Sequence, residues 1–340
     1  MVVAAALAGI TRYASGVSKV LAFVLATIAL AGLAWVVSFA TDQLGRRYGP
    51  GVTGFLQSTL GNLPEFFVVI FALQAGQLVV AETAIIGSIL VNALFVLGLV
   101  IIAGASRERD GVMRFSIRLP NDTATLLLIA TFIIVLIGLT TGAHDSASHH
   151  TKSISIIGAI AILIVYATWM RQYLTSDTPP DPDEEPARLK RSTSVVLLLT
   201  AGTASAFVSD WFVHALQPTI HTLHISQAFA GLVIVAIAGN AVENVAGIAM
   251  AARGRSDLAI SVVKNSVSQI AAFLYPLLVL VSLLTATTLT FSLSGVYAGA
   301  LFGTAVIVWQ VTGDGEATAF EGAALIAVYL VLAMLAGFET

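Results

Sequence analysis

Ten apolar stretches divide this chain, and each is long enough to cross a lipid bilayer, which takes about 20 apolar residues. They lie at roughly 20–40, 52–75, 79–104, 122–141, 153–174, 193–216, 228–252, 256–283, 287–310 and 317–338. Of the 340 residues, 57% are hydrophobic and only 10% are charged, whereas a soluble domain carries about 25% charged residues. The sequence therefore predicts an all-α polytopic membrane protein with ten transmembrane helices.

An acidic, proline-rich segment separates the fifth stretch from the sixth. Residues 177–186 read D-T-P-P-D-P-D-E-E-P, and proline together with like charges excludes a helix there. We predict an N-terminal half at 1–176 with helices 1–5, an acidic linker at 177–191, and a C-terminal half at 192–340 with helices 6–10.

The two halves carry the same motif at the same spacing. Gly61–Glu65 and Gly239–Glu243 both read G-N-x-x-E, and 178 residues separate each member from its counterpart. Ser88 and Ser266, in the apolar stretches that follow, also differ by 178. This constant offset predicts an internal duplication.

The distribution of basic residues predicts how the chain crosses the membrane, because cytoplasmic loops are enriched in Lys and Arg. Twelve basic residues fall on the side that follows the first span, and three fall on the other. Both termini are therefore predicted outside, with the linker cytoplasmic. The motifs then lie on helices 2 and 7, which cross the membrane in opposite directions, and inverted repeats of this kind bind substrate near the bilayer midplane.

Each motif places a carboxylate inside an apolar stretch. Ionisable groups in a bilayer are costly and normally serve an ion pathway, so Glu65 and Glu243 are predicted to form a shared metal-binding cation site. Asn and Glu at i, i+3 share a helical face and offer oxygen ligands, which hard cations prefer. The predicted cation- and proton-binding set is Glu65, Glu243, Asn62, Asn240, Ser88, Asn92, Ser266 and Gln269.

These segments resemble the α-repeats of the cation/calcium exchanger superfamily, and most closely its calcium/proton (CAX-type) branch. In that branch G-N-A-x-E opens each repeat, and G-S-I-L-x-N or G-S-S-x-Q follows on the next helix. Here residues 87–92 read G-S-I-L-V-N and residues 265–269 read N-S-V-S-Q. The resemblance implies a sodium/calcium exchanger-like fold of two inverted five-helix repeats, whose first and sixth helices slide across the site to open one side at a time.

The resemblance also implies the activity, which is secondary active exchange of calcium for protons by alternating access. Glu65 and Glu243 would bind either the cation or protons, so that the two occupancies exclude each other. No resident cofactor is expected, because Ca²⁺ and H⁺ are transported. The expected partners are these ions and the lipid bilayer, not nucleic acid. The expected location is a prokaryotic inner (plasma) membrane, and the oligomeric state is left open.

Lys264 stands where the family has an apolar residue, and it is a candidate modulator of the site. Counting from Ser256 at about 1.5 Å per residue places it roughly 12 Å into the bilayer. Its ammonium would either pair with Glu65 or Glu243, or extend to the membrane surface. The first role keeps a sodium or potassium/proton antiporter open as an alternative.

Two other functional classes are also considered. A cation channel would need a continuous pore, and the sequence offers no repeated ring of lining residues. An intramembrane enzyme would need a catalytic set, but no Ser–His–Asp set, zinc pair or phosphate loop occurs among the spans. We therefore predict a transporter and not an enzyme.

Overall fold

The computed structural model describes residues 2–14, 16–47, 60–116, 118–143, 145–175 and 187–339. These residues form twelve helices and two short strands. The first half contains α1 (Val2–Tyr13), α2 (Lys19–Gly45), α3 (Leu63–Gln74), α4 (Leu78–Ala105), β1 (Val112–Arg114), α5 (Arg118–Gly142) and α6 (Thr151–Thr175). The second half contains α7 (Arg191–Leu223), α8 (Gln227–Gly239), α9 (Ala241–Ala252), α10 (Ser256–Leu284), α11 (Gly295–Thr312), β2 (Glu316–Thr318) and α12 (Ala319–Phe338).

Eight of these helices are long and apolar enough to cross a membrane, namely α2, α4, α5, α6, α7, α10, α11 and α12. A ninth span results if α8 and α9, whose axes meet at 58°, are counted as one bent helix. The shorter helix α3 is apolar and has 12 residues. Residues 48–59, which precede it, lie outside the described part, as do residues 177–186 of the predicted linker. The chain is an integral membrane protein with eight or nine candidate spans in its described part.

Burial divides the helices into a central group and an outer group. The α4 side chains Ile85, Ile86, Leu90 and Leu94 are almost completely buried, because α4 is surrounded by other helices. On α6, by contrast, Ile157, Ile160 and Ile164 are exposed along one side. An exposed aliphatic stripe at helical spacing on a spanning helix is suited to contact with lipid.

The local backbone repeats at the offset found in the sequence. Helix α3 begins and ends 178 positions before α9, and Asn62 (φ −91°, ψ 17°) has nearly the same backbone as Asn240 (φ −97°, ψ 9°). Gly76 and Gly254, which follow these helices, are both left-handed, with φ of +73° and +79°. A π-helical turn then interrupts α4 at Val91–Val96 and α10 at Ile270–Leu274. The two sequence copies therefore fold alike.

A two-stranded antiparallel ribbon joins the two halves, and the prediction of an all-α chain did not include it. Val112 lies opposite Thr318, and Arg114 lies opposite Glu316. The Arg114 guanidinium also donates to Asp110 Oδ2 at 2.7 Å, and this hydrogen bond keeps the pKa of the exposed Asp110 carboxyl below its usual value. The ribbon fixes the loops after α4 and α11 side by side.

Hydrogen bonds between helix ends show which loops lie on the same side of the bundle. We call the side with the β1–β2 ribbon the ribbon face and the opposite side the far face. On the ribbon face, Gln43 at the end of α2 bonds Arg188 before α7, Arg107 after α4 bonds Ala252 at the end of α9, and Ser116 before α5 bonds Asp257 at the start of α10. On the far face, Thr219 of α7 bonds Lys19 at the start of α2. Ser226 before α8 bonds Ala336 near the end of α12, and Ser155 of α6 bonds Phe291 before α11. These pairings fix which loops share a side.

Candidate cation-binding site

The two G-N-x-x-E motifs meet inside the bundle. Glu65 lies in the first turn of α3, and Asn240 stands at the junction of α8 and α9. The Asn240 side-chain amide donates to Glu65 Oε1, with 2.5 Å between nitrogen and oxygen. The carboxylate of one sequence copy is therefore held by the amide of the other.

Side chains from α4 and α10 extend this contact into a network. Ser88 Oγ donates to Glu65 Oε1 at 2.7 Å and accepts from Asn240 Nδ2 at 3.0 Å. Asn92 Nδ2 donates to Asn240 Oδ1 at 2.7 Å and to Ser266 Oγ at 3.4 Å. All five side chains are buried, and buried polar groups require such partners. The structure thus brings together five of the eight predicted site residues.

Gly239 allows the close approach between the two copies. A Cβ atom at this position would lie 2.8 Å from Glu65 Cγ and 2.9 Å from Glu65 Oε1. Such distances are shorter than van der Waals contact, which for carbon atoms is about 3.5–4.0 Å. A side chain at position 239 would therefore push the carboxylate away.

The motif residues lie at helix ends in both copies. Pro64 occupies the first turn of α3, where proline is well tolerated because its missing N–H would have no intrahelical acceptor. The corresponding residue in the second copy is Val242, yet α8 and α9 bend by 58° at the same place. The break therefore follows the shared Gly-Asn pair and does not require proline.

A small, partly open cavity adjoins the carboxylate of Glu65. Its lining comes from α2, α3, α4, α8 and α10, and Ser88 is its second polar side chain. The lining residues Val68 and Val69 follow Glu65 towards the end of α3. Carboxylate, amide and hydroxyl oxygens together suit a hard cation such as Ca²⁺, which takes 6–8 oxygen ligands at 2.3–2.6 Å.

Comparison with protein families decides which class of membrane protein has this network. The family model described as "Sodium/calcium exchanger protein" matches residues 18–171 and 193–338. The chain belongs to this family. Its members are exchangers, a class of transporter, so the predicted resemblance to cation/calcium exchangers is confirmed and an enzymatic class is not indicated.

Named relatives of this exchanger occur in fungi and bacteria. It is 30% identical to a vacuolar calcium ion transporter of Schizosaccharomyces pombe, over 92% of this chain and 78% of the relative. It is 28% identical to the Ca²⁺/H⁺ antiporter ChaA of Bacillus subtilis, over 92% and 90% of the two chains. It is 27% identical to a Ca²⁺/H⁺ antiporter of Synechocystis, over 92% and 89%.

Solved structures agree with this assignment. Native YfkE superimposes with a TM-score of 0.81 at 25% identity, covering 98% of this exchanger and 96% of YfkE. An H⁺/Ca²⁺ exchanger CAX gives 0.76 at 17% identity, over 94% and 82%, and the sodium-calcium exchanger NCX_Mj gives 0.60 at 19%, over 95% and 99%. The last two likenesses concern the fold alone. Within its family the chain is a CAX-type cation/calcium exchanger.

The other three predicted site residues are not joined to the network in the described part of the exchanger. Asn62 is buried, and its Nδ2 has no hydrogen-bond partner there. Gln269 is also buried, and its side chain forms no hydrogen bond with a described residue. The side chain of Glu243 lies outside the described part, so its predicted approach to Glu65 remains a prediction.

Lys264 has a hydrogen-bond partner that was not predicted from the sequence. Its side chain is only 3% exposed, and Nζ donates to Thr312 Oγ1 of α11 at 2.6 Å. A small cavity, bounded by α4, α5, α10 and α11, lies beside it. The described residues show no ion pair between Lys264 and Glu65. Thr312 is the last residue of α11, and extension of the ammonium to the membrane surface stays a prediction.

Two polar residues near the spans were missed by sequence reasoning. Ser209 of α7 donates to the carbonyl of Pro64 at 3.4 Å and so ties α7 to the first motif. Glu82 lies in α4, is partly buried, and interacts electrostatically with Tyr275. A carboxylate in an apolar stretch is a visible signal for Glu82, whereas a lone serine is not a signal for Ser209. No hydrogen bond or ion pair of the described residues joins Glu82 to the site.

Proposed function

We propose that this exchanger moves calcium across the membrane in exchange for protons, as a secondary active antiporter. The names of the relatives in Schizosaccharomyces pombe, Bacillus subtilis and Synechocystis support this assignment. The single observation that carries it is the hydrogen bond between Asn240 and Glu65. It places an ionisable carboxylate, buried among polar ligands from both sequence copies, where a transported cation and protons would compete.

The proposed binding set keeps all eight predicted residues. In the described structure Glu65 Oε1 accepts hydrogen bonds from Ser88 and Asn240. A bound cation would take the place of these donors, so that the amide and hydroxyl groups turn their oxygen atoms towards it. Protonation of Glu65 would instead remove its negative charge. The proposed ligands are Glu65, Glu243, Asn62, Asn240, Ser88, Asn92, Ser266 and Gln269.

We assign the chain ten spans in two inverted halves, 1–176 and 192–340, joined by the linker at 177–191. The matching backbones of α3 and α9 favour this division. Helix α9 ends at the ribbon face, whereas α3 ends at the far face, where α4 begins. Helices α3 and α9 therefore run in opposite directions across the membrane. Because basic residues concentrate on the ribbon face, we place that face in the cytoplasm and both termini outside.

Alternating access is the proposed mechanism. The cavity beside Glu65 follows α3 towards the far face, so it represents the proposed approach of ions from outside. Movement of α2 and α7 across the site would close this approach and open one from the cytoplasm. The negative charge of the two glutamates is neutralised by either Ca²⁺ or protons, so α2 and α7 can move in both loaded states. Because Ca²⁺ and protons compete for the same carboxylates, the gradient of one ion drives transport of the other.

Calcium is favoured over sodium or potassium as the cation. A monovalent cation was considered because a Lys264 ammonium paired with a site carboxylate would neutralise part of the negative charge that a divalent ion needs. In the described residues that ammonium bonds Thr312 and not Glu65. The carboxylate and its oxygen neighbours therefore stay available to a divalent ion.

Cation-dependent proton flux in proteoliposomes tests this function. Ca²⁺, Na⁺, K⁺ and Mg²⁺ are added separately, and a trapped pH dye records proton movement. Calcium is expected to drive proton flux in the wild type, and Glu65→Gln is expected to abolish it, because glutamine keeps the size of the side chain but cannot carry the charge or the proton.

Glu82→Gln is the matched control, since it also removes a carboxylate from a membrane-spanning segment. It is expected to retain exchange. Proton flux that continues in Glu65→Gln would refute the proposed site. Proton flux with sodium or potassium, but none with calcium, would refute the choice of cation.

A further inference from the structure

A second pocket lies at the far face, apart from the cation site. It is a small, partly open cavity between α1, α2 and α7, and we call it the α1 pocket. Its polar lining consists of Thr11, Arg12, Lys19 and His214. Three of these four side chains carry, or are able to carry, a positive charge.

The charges around the α1 pocket favour a singly charged anion. His214 interacts electrostatically with Arg12, Lys19 and Asp210, so the charges around this imidazole are two permanent cations and one carboxylate. The balance is positive but small. A group with one negative charge fits this balance better than one with two.

Arg12 has an unused hydrogen-bond donor in this pocket. Its Nε atom is buried and has no hydrogen-bond partner among the described residues, while its guanidinium carbon lies 5.4 Å from the centre of the Tyr13 ring. A buried donor without an acceptor is unfavourable. An anionic oxygen in the pocket would supply the missing acceptor, and guanidinium groups bind phosphate oxygens particularly well.

Helix α1 shows where such an anion would come from. Val3, Leu7 and Ile10, spaced to lie on one side of the helix, are 71%, 42% and 62% exposed, whereas Gly9 packs closely against Trp211 of α7. The apolar stripe of α1 is suited to contact with acyl chains. Arg12 and Lys19, which follow the stripe in the sequence, are suited to the level of lipid head groups.

We propose that the α1 pocket binds the phosphate group of an anionic phospholipid. A phosphodiester carries one negative charge, which suits the local balance, and its acyl chains would lie along Val3, Leu7 and Ile10. Inorganic phosphate has no acyl chain to use this stripe. The lipid would connect α1 to α2 and α7, the two helices that the proposed transport cycle moves, but its binding does not depend on which cation is exchanged.

Lipid binding to the full-length protein in detergent tests this proposal. Native mass spectrometry compares phosphatidylglycerol with phosphatidylcholine of the same acyl chains, and sodium phosphate is tested as a competitor. Arg12→Gln combined with Lys19→Gln is expected to weaken phosphatidylglycerol binding about 25-fold, because each basic group near an anionic lipid contributes roughly fivefold. Lys152→Gln, at an exposed position of the same face, is the matched control and is expected to bind normally.

Three results would overturn the proposal. The first is that the double variant binds phosphatidylglycerol as tightly as the wild type, and the second is that phosphatidylcholine binds the wild type equally well. The third is that millimolar inorganic phosphate displaces the lipid completely. The last result would assign the pocket to soluble phosphate. If the double variant does not fold, salt provides the second measurement on the wild type: raising it from about 50 to about 500 mM should weaken phosphatidylglycerol binding through screening, and salt-independent binding would count against a charged contact.

Discussion

Replacing Gly239 by alanine should damage the cation site without unfolding the protein. The new Cβ would lie 2.8 Å from Glu65 Cγ, so the carboxylate has to retreat by roughly 0.7 Å to reach normal carbon–carbon contact. A shift of this size along the hydrogen bonds would stretch the one from Ser88, now 2.7 Å, to about 3.4 Å, which is beyond the normal range, and the one from Asn240, now 2.5 Å, to its limit of about 3.2 Å.

The expected size of the effect follows from the lost contact. One hydrogen bond to a charged group contributes about 1.5–3 kcal/mol, and we take this as the cost of misplacing the Glu65 ligand. It corresponds to roughly 10- to 150-fold weaker cation binding. Alanine is a better helix former than glycine by about 1 kcal/mol, so the melting temperature should change little.

The measurement is calcium-driven proton flux in proteoliposomes over a range of calcium concentrations, together with thermal unfolding of the purified protein. Gly303→Ala on α11 is the control, because a methyl group added at this position would have no heavy atom within 4 Å beyond its own local backbone. It should transport normally. Normal calcium dependence in Gly239→Ala would refute the close packing of Glu65 against α8.

The remaining predictions concern contacts outside the carboxylate. Lys264→Met should leave the calcium dependence of exchange within about twofold of wild type, because the ammonium contacts Thr312 and a buried charge is replaced by an apolar chain; a tenfold shift would place the lysine at the site. Thr312→Val should lower the free energy of unfolding by about 1–3 kcal/mol, since it leaves that ammonium without its partner, and unchanged denaturation would contradict the buried contact. Gly87→Ala should lower the melting temperature, because its Cβ would overlap the backbone of Leu232 and backbone atoms cannot move aside; equal stability of this variant and Gly303→Ala would argue against that packing.

The apolar stretches and the duplicated motif predicted much of the architecture. Length and hydropathy are enough to identify a spanning helix, and a constant offset is enough to recognise two related copies. The contact between Asn240 and Glu65 also agrees with the predicted site, because carboxylates and amides buried in a bilayer have few partners besides each other. These signals are local, or repeat at a fixed spacing, so a sequence displays them directly.

Other contacts could not be read from the sequence. The partner of Lys264 depends on how α10 packs against α11, and Thr312 gives no sign of this role in the sequence. The ribbon pairs Arg114 with Glu316, which are 202 positions apart, and each strand has only three residues. Such short strands have no detectable alternation. The bend between α8 and α9 has no proline to signal it, because valine stands where the first copy has Pro64.

The bond from Asn240 to Glu65 has a consequence for the origin of the chain. Each half carries an acid, yet the amide that holds Glu65 belongs to the other half, so a single copy of the repeat would present its carboxylate without this donor. A one-repeat protein could complete such a contact only by pairing with a second copy. Joining two copies in one polypeptide makes the contact intramolecular and leaves each half free to differ, as Lys264 in one copy and Ile86 at the matching position of the other illustrate.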